Sequence, residues 1–184
     1  MITINCGHKQ PPLSHTLYPL FESSEQLPDI VVVGLQEIVK LNFMSAFTSN
    51  TDSDLIRRWT ELFQVSMNQV NVKRGVTEPT EQYTFFQQQE MAGLCILLFC
   101  KKKMLNRIKE LYLCDVKAGW GGYGKNKGCV AMRFRIDQTS FAFLNCHLES
   151  GEGNVLKRLD MLKTILEKTF TENKFAPDVA HHDI

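Results

Sequence analysis

The hydrophobic and polar positions of this chain change their period along its length, and the changes separate predicted helices from predicted strands. Residues 30–35 are a continuous, largely β-branched apolar run, which is typical of a strand buried on both faces. Residues 2–6 alternate weakly and predict a short strand. Farther along, apolar residues keep helical spacing as far as Val70, which predicts a helix capped by Asp52 or Ser53.

A different pattern occupies the middle of the chain, where apolar runs alternate with short polar or glycine-bearing links. It predicts five successive strands, at residues 83–89, 93–100, 108–116, 128–136 and 140–147. Residues 155–170 then predict an amphipathic helix, which carries on one side Leu156, Leu159, Leu162, Ile165 and Leu166. Adjacent strands flanked by helices predict a layered α/β fold with much antiparallel pairing, because a doubly wound sheet would need a helix after each strand.

Composition and charge place the chain among ordinary globular domains. Its 184 residues suffice for one sizeable core, and 43% hydrophobic and 22% charged residues argue against wholesale disorder. The 21 basic and 20 acidic side chains leave a net charge of +1, so no nucleic acid is expected as a partner. No apolar run is long enough to span a bilayer, and residues 1–5 do not resemble a secretion signal. The six cysteines form no C-x-x-C pair, which favours buried thiols in a reducing, cytoplasmic setting.

Two ionisable residues stand at the ends of predicted strands. Glu37 follows the apolar run 30–35, where ligands converge in α/β enzymes, and its carboxylate is a hard oxygen donor that suits Mg²⁺. The alternative is that Glu37 opens the following helix, where its charge favours the helix dipole. His147 ends the last predicted strand and can hydrogen-bond a phosphoryl oxygen or move a proton near neutral pH. A purely structural role is the alternative for a single histidine.

A glycine-rich loop at residues 119–128 holds five glycines and two lysines. Glycines let backbone N–H groups approach an anion closely, while Lys125 and Lys127 supply positive charge. The register of a Walker P-loop is absent. Trp120 and Tyr123 beside these lysines suit a membrane interface, with the rings at headgroup level and the ammonium groups on anionic lipid. A simple hairpin tip is the alternative.

Taken together, three segments resemble the catalytic domain of the inositol polyphosphate 5-phosphatases, part of the endonuclease/exonuclease/phosphatase superfamily. Residues 29–42 (DIVVVGLQEIVKLN) resemble the first acidic motif of that family. Residues 126–131 (NKGCVA) resemble its G-N-K-G-x-V segment. Residues 145–151 (NCHLESG), with Arg158 beyond them, resemble its S-H-L-x-x-G…R-N segment. The resemblance implies an α/β fold, a four-layer α/β/β/α sandwich, and Mg²⁺-dependent removal of the 5-phosphate from a phosphoinositide lipid or a soluble inositol phosphate.

The same resemblance implies a role for each matched residue. Asn5 would be a catalytic residue beside the metal, and Glu37 would be the Mg²⁺ ligand. Asn126 and Lys127 would bind the 1-phosphate of the substrate on its lipid-facing side. His147 would hold the scissile 5-phosphate and stabilise its charge as water attacks in line, while Mg²⁺ assists departure of the inositol oxygen.

Some of the family pattern is altered or absent. Ile4, Lys125 and Leu159 stand where the family carries tryptophan, glycine and asparagine. The family's G-D-L-N-Y-R and S-D-H motifs are expected beyond Ile184. Residues 1–184 therefore resemble the N-terminal two-thirds of the catalytic domain, with the sandwich incomplete at the C-terminus. Without a group to orient the attacking water, these residues alone are predicted to be inactive or nearly so.

Two other functions stay open on the sequence alone. A nuclease of the same superfamily also carries the run at residues 35–37, although the near-neutral charge and the loop at residues 126–128 favour the phosphatase. A non-catalytic module would bind phosphoinositide and peripheral anionic membrane through Trp120, Tyr123, Lys125 and Lys127. The phosphatase and the binding module are both expected to act at cytoplasmic membrane surfaces.

Overall fold

The structure, a computed structural model, describes residues 1–13, 17–23, 25–39, 53–119 and 124–171, with the backbone alone at residues 124–126. Its strands in these ranges are β1 (Ile2–Asn5), β2 (Ile30–Gln36), β3 (Tyr83–Met91), β4 (Leu94–Lys101), β5 (Ile108–Gly119), β6 (Gly124–Ile136) and β7 (Thr139–His147). Its α-helices are α1 (Tyr18–Glu22), α2 (Ser53–Lys73) and α3 (Val155–Lys168). Single 3₁₀ turns occur at Pro79–Glu81, Lys102–Met104 and Glu152–Asn154.

Two sheets form the centre of the fold. The first has the strand order β1-β2-β4-β3, in which β1 and β2 are parallel and the other neighbours are antiparallel. The second is the antiparallel meander β5-β6-β7. Because β1 and β2 are parallel, their carboxyl ends lie at the same edge, and Asn5 is paired with Gln36. The segments that follow these two residues therefore leave the sheet side by side.

Three apolar cores separate four layers. Helices α1 and α2 cover one face of the first sheet, where Phe63, Met67 and Phe99 are fully buried. The two sheets enclose a second core between their facing surfaces, which includes Leu98 and Met132. Helix α3 covers the outer face of the second sheet and completes the third core. The described residues thus form the α/β/β/α sandwich that the family resemblance implied.

The predicted strands and helices occur with small shifts at their ends. Strands β3, β4 and β7 begin and end within two residues of the predicted bounds. Strands β5 and β6 extend farther because the glycine-rich segment continues their pairing, with Gly119 opposite Gly124. Helix α2 begins at Ser53, one of its two predicted caps, while Asp52 lies outside the described residues. No helix in the described ranges combines the length and apolar character needed to cross a membrane.

The leucines predicted for one side of α3 are exposed together, because that side faces away from the second sheet. Of its five predicted residues only Ile165 is buried, and the exposed ones are Leu156, Leu159, Leu162 and Leu166. Met161 instead joins Ile165 in the core. Nη1 of Arg158 donates hydrogen bonds to the backbone oxygens of Glu149 (3.2 Å) and Gly151 (2.7 Å), which join the first turns of the helix to the preceding loop.

Candidate functional site

The ends of three strands and one neighbouring residue bring four predicted site residues to the same rim. Asn5 ends β1, and Glu37 follows the last residue of β2. His147 ends β7 in the other sheet. Lys127 precedes Gly128, which is paired with His147 across β6 and β7. The rim therefore combines an amide, a carboxylate, an imidazole and an ammonium group.

The side chains of this group are in direct contact. Nε2 of His147 lies 3.4 Å from Oε1 of Glu37 and 3.0 Å from Nζ of Lys127. The side chain of Asn5 donates a hydrogen bond to the Glu37 carboxylate. Oδ1 of Asn5 in turn accepts a hydrogen bond from the backbone N–H of Gly7 at 2.9 Å. The structure therefore brings Asn5, Glu37, Lys127 and His147 together from four separate places in the sequence.

Glu37 has a backbone conformation that residues other than glycine rarely adopt, with φ of 52°. Two backbone hydrogen bonds hold the turn around it, from Cys6 N–H to Gln36 O at 2.7 Å and from His8 N–H to Glu37 O at 2.8 Å. Such a conformation costs on the order of 1–3 kcal/mol and persists only where the surrounding structure determines it. The strain at the end of β2 is consistent with a functional position rather than with the start of a helix.

The carboxylate of Glu37 is held in its ionised form. Its pKa is lowered, first by the hydrogen bond from Asn5 and then by His147, His8 and Lys127, which together outweigh desolvation. Because this pKa is lower in the folded chain than in the unfolded one, Glu37 stabilises the fold above its unfolded pKa. That contribution is lost as the pH falls through the folded pKa. At neutral pH the rim therefore presents an anionic oxygen ligand.

Replacing Asn5 with alanine is expected to raise the pKa of Glu37 towards its ordinary value, because the largest cause of the lowering is removed. A pH titration of the Glu37 carboxyl carbon by NMR measures this directly. Lys9→Ala, in the same loop, is the matched control and should leave the pKa of Glu37 unchanged. An identical titration in the Asn5→Ala chain would show that the hydrogen bond does not determine the charge of Glu37.

One nitrogen of His147 faces two charged neighbours. Nε2 lies 3.0 Å from the Lys127 ammonium group, which only donates, and 3.4 Å from the Glu37 carboxylate, which only accepts. The His147 side chain is 18% exposed, so it is packed yet open to a small molecule at the rim. An anion bound here would take over the Lys127 ammonium group as a donor.

His8 is a site residue that the sequence analysis did not identify. Its Nε2 lies 3.9 Å from Oε2 of Glu37, and its Nδ1 lies 2.9 Å from the backbone oxygen of Val39. A carbonyl oxygen only accepts, so Nδ1 carries a proton and Nε2 faces the carboxylate. The sequence did offer one signal for His8, which is its position three residues after Asn5. Because β1 and β2 pair in parallel, the loop that follows Asn5 lies next to the loop that contains Glu37.

A buried asparagine links the two sheets behind the rim. Nδ2 of Asn145 donates hydrogen bonds to the backbone oxygens of Leu35 and Cys95, both at 2.9 Å. Nε2 of Gln36 donates to Oδ1 of Asn145 at 3.2 Å and to the backbone oxygen of Cys146 at 2.8 Å. Asn145 is 1% exposed, so all of these polar groups are satisfied by one another rather than by bulk water.

This polar bridge joins the two strands that end on site residues. Gln36 stands directly before Glu37, and Asn145 stands two residues before His147. Gly34 makes room for the bridge, because a Cβ at this position would lie 2.9 Å from the Asn145 side chain. The spacing between the carboxylate and the imidazole is therefore set by hydrogen bonds from one sheet to the other.

The other predicted site residues lie wholly or partly outside the described residues. Trp120 and Tyr123 lie outside them, and for Lys125 and Asn126 the structure describes only the backbone, as part of β6. Their contacts with membrane and substrate stay predictions. Arg158, which the family pattern also contains, holds the loop that follows His147 through its bonds to Glu149 and Gly151.

One oxygen ligand at the rim fits part of a magnesium site. Glu37 supplies an ionised carboxylate, while Asn5 turns its amide nitrogen towards that carboxylate and its Oδ1 towards the backbone N–H of Gly7. Magnesium keeps several water ligands and is commonly bound by one or two carboxylates together with substrate phosphates. Within the described ranges, no group of three or more His, Cys, Asp or Glu side chains is arranged to hold a metal ion. The Glu37 carboxylate would thus be one ligand of a Mg²⁺ coordination sphere that water and substrate phosphate complete.

Comparison with protein families and curated proteins gives consistent matches. Residues 2–184 match the family model described as Endonuclease/Exonuclease/phosphatase family 2. Polyphosphatidylinositol phosphatase INP53 of Saccharomyces cerevisiae is 34% identical over 181 residues, which are 98% of this chain and 15% of INP53. Synaptojanin of Caenorhabditis elegans is 28% identical over 144 residues, which are 78% of this chain and 12% of synaptojanin.

The solved structures that are similar to this chain include a phosphatase domain. This is the inositol polyphosphate 5-phosphatase domain of SPsynaptojanin in complex with inositol (1,4)-bisphosphate and calcium ion. The TM-score is 0.80 at 28% sequence identity, over 98% of this chain and 48% of that one. The chain therefore spans about half the length of the solved domain and a small part of the two curated relatives.

Proposed function

Because the chain belongs to Endonuclease/Exonuclease/phosphatase family 2, as its motifs predicted, we propose that it supplies part of a phosphatase site. The substrate class is phosphoinositides or inositol polyphosphates, and the reaction is hydrolysis of the 5-phosphate. The names of two similar proteins support this substrate class, since they are a polyphosphatidylinositol phosphatase and an inositol polyphosphate 5-phosphatase domain. The observation that carries the proposal is the contact of His147 with both Glu37 and Lys127 at one rim. A nuclease is not favoured by these relatives.

Each rim residue has a task in this proposal. Glu37, positioned by Asn5, would hold Mg²⁺. When bound, Mg²⁺ polarises a phosphoryl oxygen and assists departure of the inositol oxygen. His147 would hold the scissile phosphate through Nε2, once that nitrogen carries a proton. The bridge through Asn145 keeps the imidazole and the carboxylate at a fixed separation, so little reorganisation is needed when the substrate binds.

Two phosphates of the substrate, the scissile 5-phosphate and the 1-phosphate, are candidate partners for the Lys127 ammonium group. The family resemblance implies contact with the 1-phosphate, while in the structure its ammonium group lies 3.0 Å from His147. The lysine side chain has a flexible four-carbon stem, so its ammonium group can move from His147 to the 1-phosphate. We propose that Lys127 attracts the scissile phosphate in the free site and moves to the 1-phosphate, with Asn126, when the whole substrate is bound.

We expect residues 1–184 to bind the substrate without rapid turnover, because the described rim residues are assigned to phosphate and metal and none of them is assigned to the attacking water. With Mg²⁺ and a soluble inositol polyphosphate, calorimetry should show binding while phosphate release stays near background. Lys127→Ala should weaken binding by about tenfold or more, since it removes a charged hydrogen bond. Lys109→Ala is the matched control, because Lys109 is exposed and lies at the far end of β5.

The two measurements separate the parts of the proposal. Rapid phosphate release by the wild-type chain would overturn the expected inactivity and leave the phosphatase assignment in place. Binding that is unaffected by Lys127→Ala and by His147→Ala would show that inositol phosphate does not bind at this rim. Cleavage of a DNA duplex without binding of inositol phosphate would favour the nuclease.

The predicted membrane contact is a separate proposal, and it places the protein at the periphery of cytoplasmic membranes. Trp120, Tyr123 and Lys125 would insert at the headgroup level of anionic lipid. Sedimentation with anionic liposomes should be weakened several-fold in Trp120→Ala, while binding of soluble inositol phosphate stays unchanged. Equal sedimentation of the variant and the wild-type chain would count against this role of the loop.

A further inference from the structure

Two cysteines stand directly opposite each other on the neighbouring strands β6 and β7. Cys129 is paired with Cys146, and the register is uninterrupted from there to the turn that joins the two strands. Ile136 and Thr139 flank that two-residue turn, so the hydrogen bond that closes it joins their backbones. Along an antiparallel ladder, hydrogen-bonded and non-hydrogen-bonded pairs alternate. Cys129 and Cys146, seven pairs farther on, are therefore a non-hydrogen-bonded pair.

This pairing brings the two sulfur atoms within reach of a covalent bond. In a non-hydrogen-bonded pair the Cα atoms are about 4.5 Å apart and the side chains approach closely. Disulfides span Cα separations of about 4.4–6.8 Å, so the pair lies at the short end of the permitted range. The thiol of Cys129 also makes a hydrogen bond with the sulfur of Cys146. Little backbone movement is needed to join them.

The two thiols differ in reactivity from each other and from other cysteines. Cys146 is half-buried and its pKa is lowered, because it accepts the hydrogen bond from Cys129. The pKa of Cys129, which is buried, is raised by the same hydrogen bond and by burial. Burial raises the pKa of Cys6 and of Cys100 to about 11. Cys146 is therefore suited to act as the nucleophile, since it is half-buried and an oxidant can reach it, while Cys129 is buried.

We propose that Cys129 and Cys146 form an oxidative modification site, at which a peroxide converts the two thiols into a reversible disulfide. The Cys146 thiolate attacks one oxygen of hydrogen peroxide, so that an S–O bond forms, the O–O bond breaks and the released hydroxide becomes water. The Cys129 sulfur then attacks the sulfenic acid of Cys146. The S–S bond forms, the S–O bond breaks, and the departing hydroxide takes the Cys129 proton as water. Two thiols are oxidised, and one peroxide is reduced to two waters.

The position of this pair gives the disulfide a direct consequence for the rim. Cys146 precedes His147, and Cys129 follows Gly128, which is the pairing partner of His147. A bridge between the two cysteines would fix the strand ends that carry His147 and Lys127. The thiol chemistry itself does not depend on the proposed phosphatase function, because it uses neither Glu37 nor a phosphate.

The test is to treat the reduced, folded chain with hydrogen peroxide and map its cysteines by mass spectrometry without reduction. The expected result is a loss of two hydrogen atoms, with one linkage between the peptides of Cys129 and Cys146. A dithiol reductant should restore both thiols. Cys146→Ser should abolish the linkage. Cys129→Ser should leave a sulfenic acid on Cys146 that dimedone traps, because the second thiol is absent.

Cys114→Ser is the matched control, since Cys114 lies on β5 and packs against the same core as Cys129. This variant should form the Cys129–Cys146 linkage as fast as the wild-type chain. A disulfide that contains Cys114, equal oxidation of all six cysteines, or no linkage at all would each overturn the proposal. The outcome is independent of inositol phosphate binding, so failure here and failure of the proposed function are separate results.

Discussion

Replacing Asn145 with leucine is expected to lower the free energy of unfolding by about 3–5 kcal/mol. Leucine has nearly the same size, but it cannot donate to the backbone oxygens of Leu35 and Cys95 or accept from Gln36. Each buried polar group left without a partner costs about 1–3 kcal/mol. Domains of this size are stable by only about 5–15 kcal/mol, so the loss is a large fraction of the total. Urea unfolding followed by circular dichroism measures it.

The matched control for this substitution is Asn154→Leu. Asn154 is half-buried and its Nδ2 makes a hydrogen bond only near the surface, to the backbone oxygen of Ser150. We expect a change of less than about 1 kcal/mol there, because water replaces the lost partner. If the two variants lose similar free energies of unfolding, the hydrogen bonds of Asn145 between the sheets do not contribute the stability that we assign to them. The Asn145 variant should also shift the imidazole signals of His147 in NMR spectra, since the bridge positions that strand end.

The layered fold, and the strand ends that carry Glu37 and His147, could be predicted because local patterns determine them. A continuous β-branched run predicts a buried strand, and the residue that follows such a strand, here Glu37, lies at a sheet edge. His147 was identified in the same way, at the end of β7. The family motifs added Asn5 and Lys127 to this group. For Glu37 and His147 the informative signal was a polar residue at a strand end, which needs no knowledge of the tertiary packing.

The parts that could not be predicted depend on how one element meets another. Asn145 has the position of an ordinary strand residue, and its role appears only when β7 crosses behind β2 and β4. His8 becomes a site residue because β1 and β2 pair in parallel. The packed side of α3 is formed by Met161 and Ile165, while the leucines on the other side are exposed. Periodicity identifies an apolar side of a helix, but it does not identify the layer against which that side packs.

Replacing Gly128 with alanine is expected to destabilise the fold by about 3–5 kcal/mol and to separate Lys127 from His147. Gly128 has φ of 150°, and a Cβ there would lie 2.0 Å from the backbone oxygen of Val116 and 3.1 Å from the nitrogen of Ala118. The obstacle is backbone, so no side-chain rotation relieves it and β5 must move away from β6. Sterics therefore explain the glycine of the Asn-Lys-Gly segment. Without a Cβ, Gly128 lets β5 approach β6 closely at the position where Gly128 is paired with His147.

Gly75→Ala is the control that separates the cost of the steric clash from the cost of placing alanine in a backbone conformation with positive φ. Gly75 has φ of 76°, but no atom lies within 4 Å of the position of its Cβ. Alanine there should therefore cost only about 1–2 kcal/mol, the ordinary cost of a left-handed conformation. Urea unfolding of both variants, with inositol phosphate binding measured on the folded fraction, gives the comparison. If Gly128→Ala costs no more than Gly75→Ala and binding is retained, then the close approach of β5 to β6 does not position Lys127 and His147.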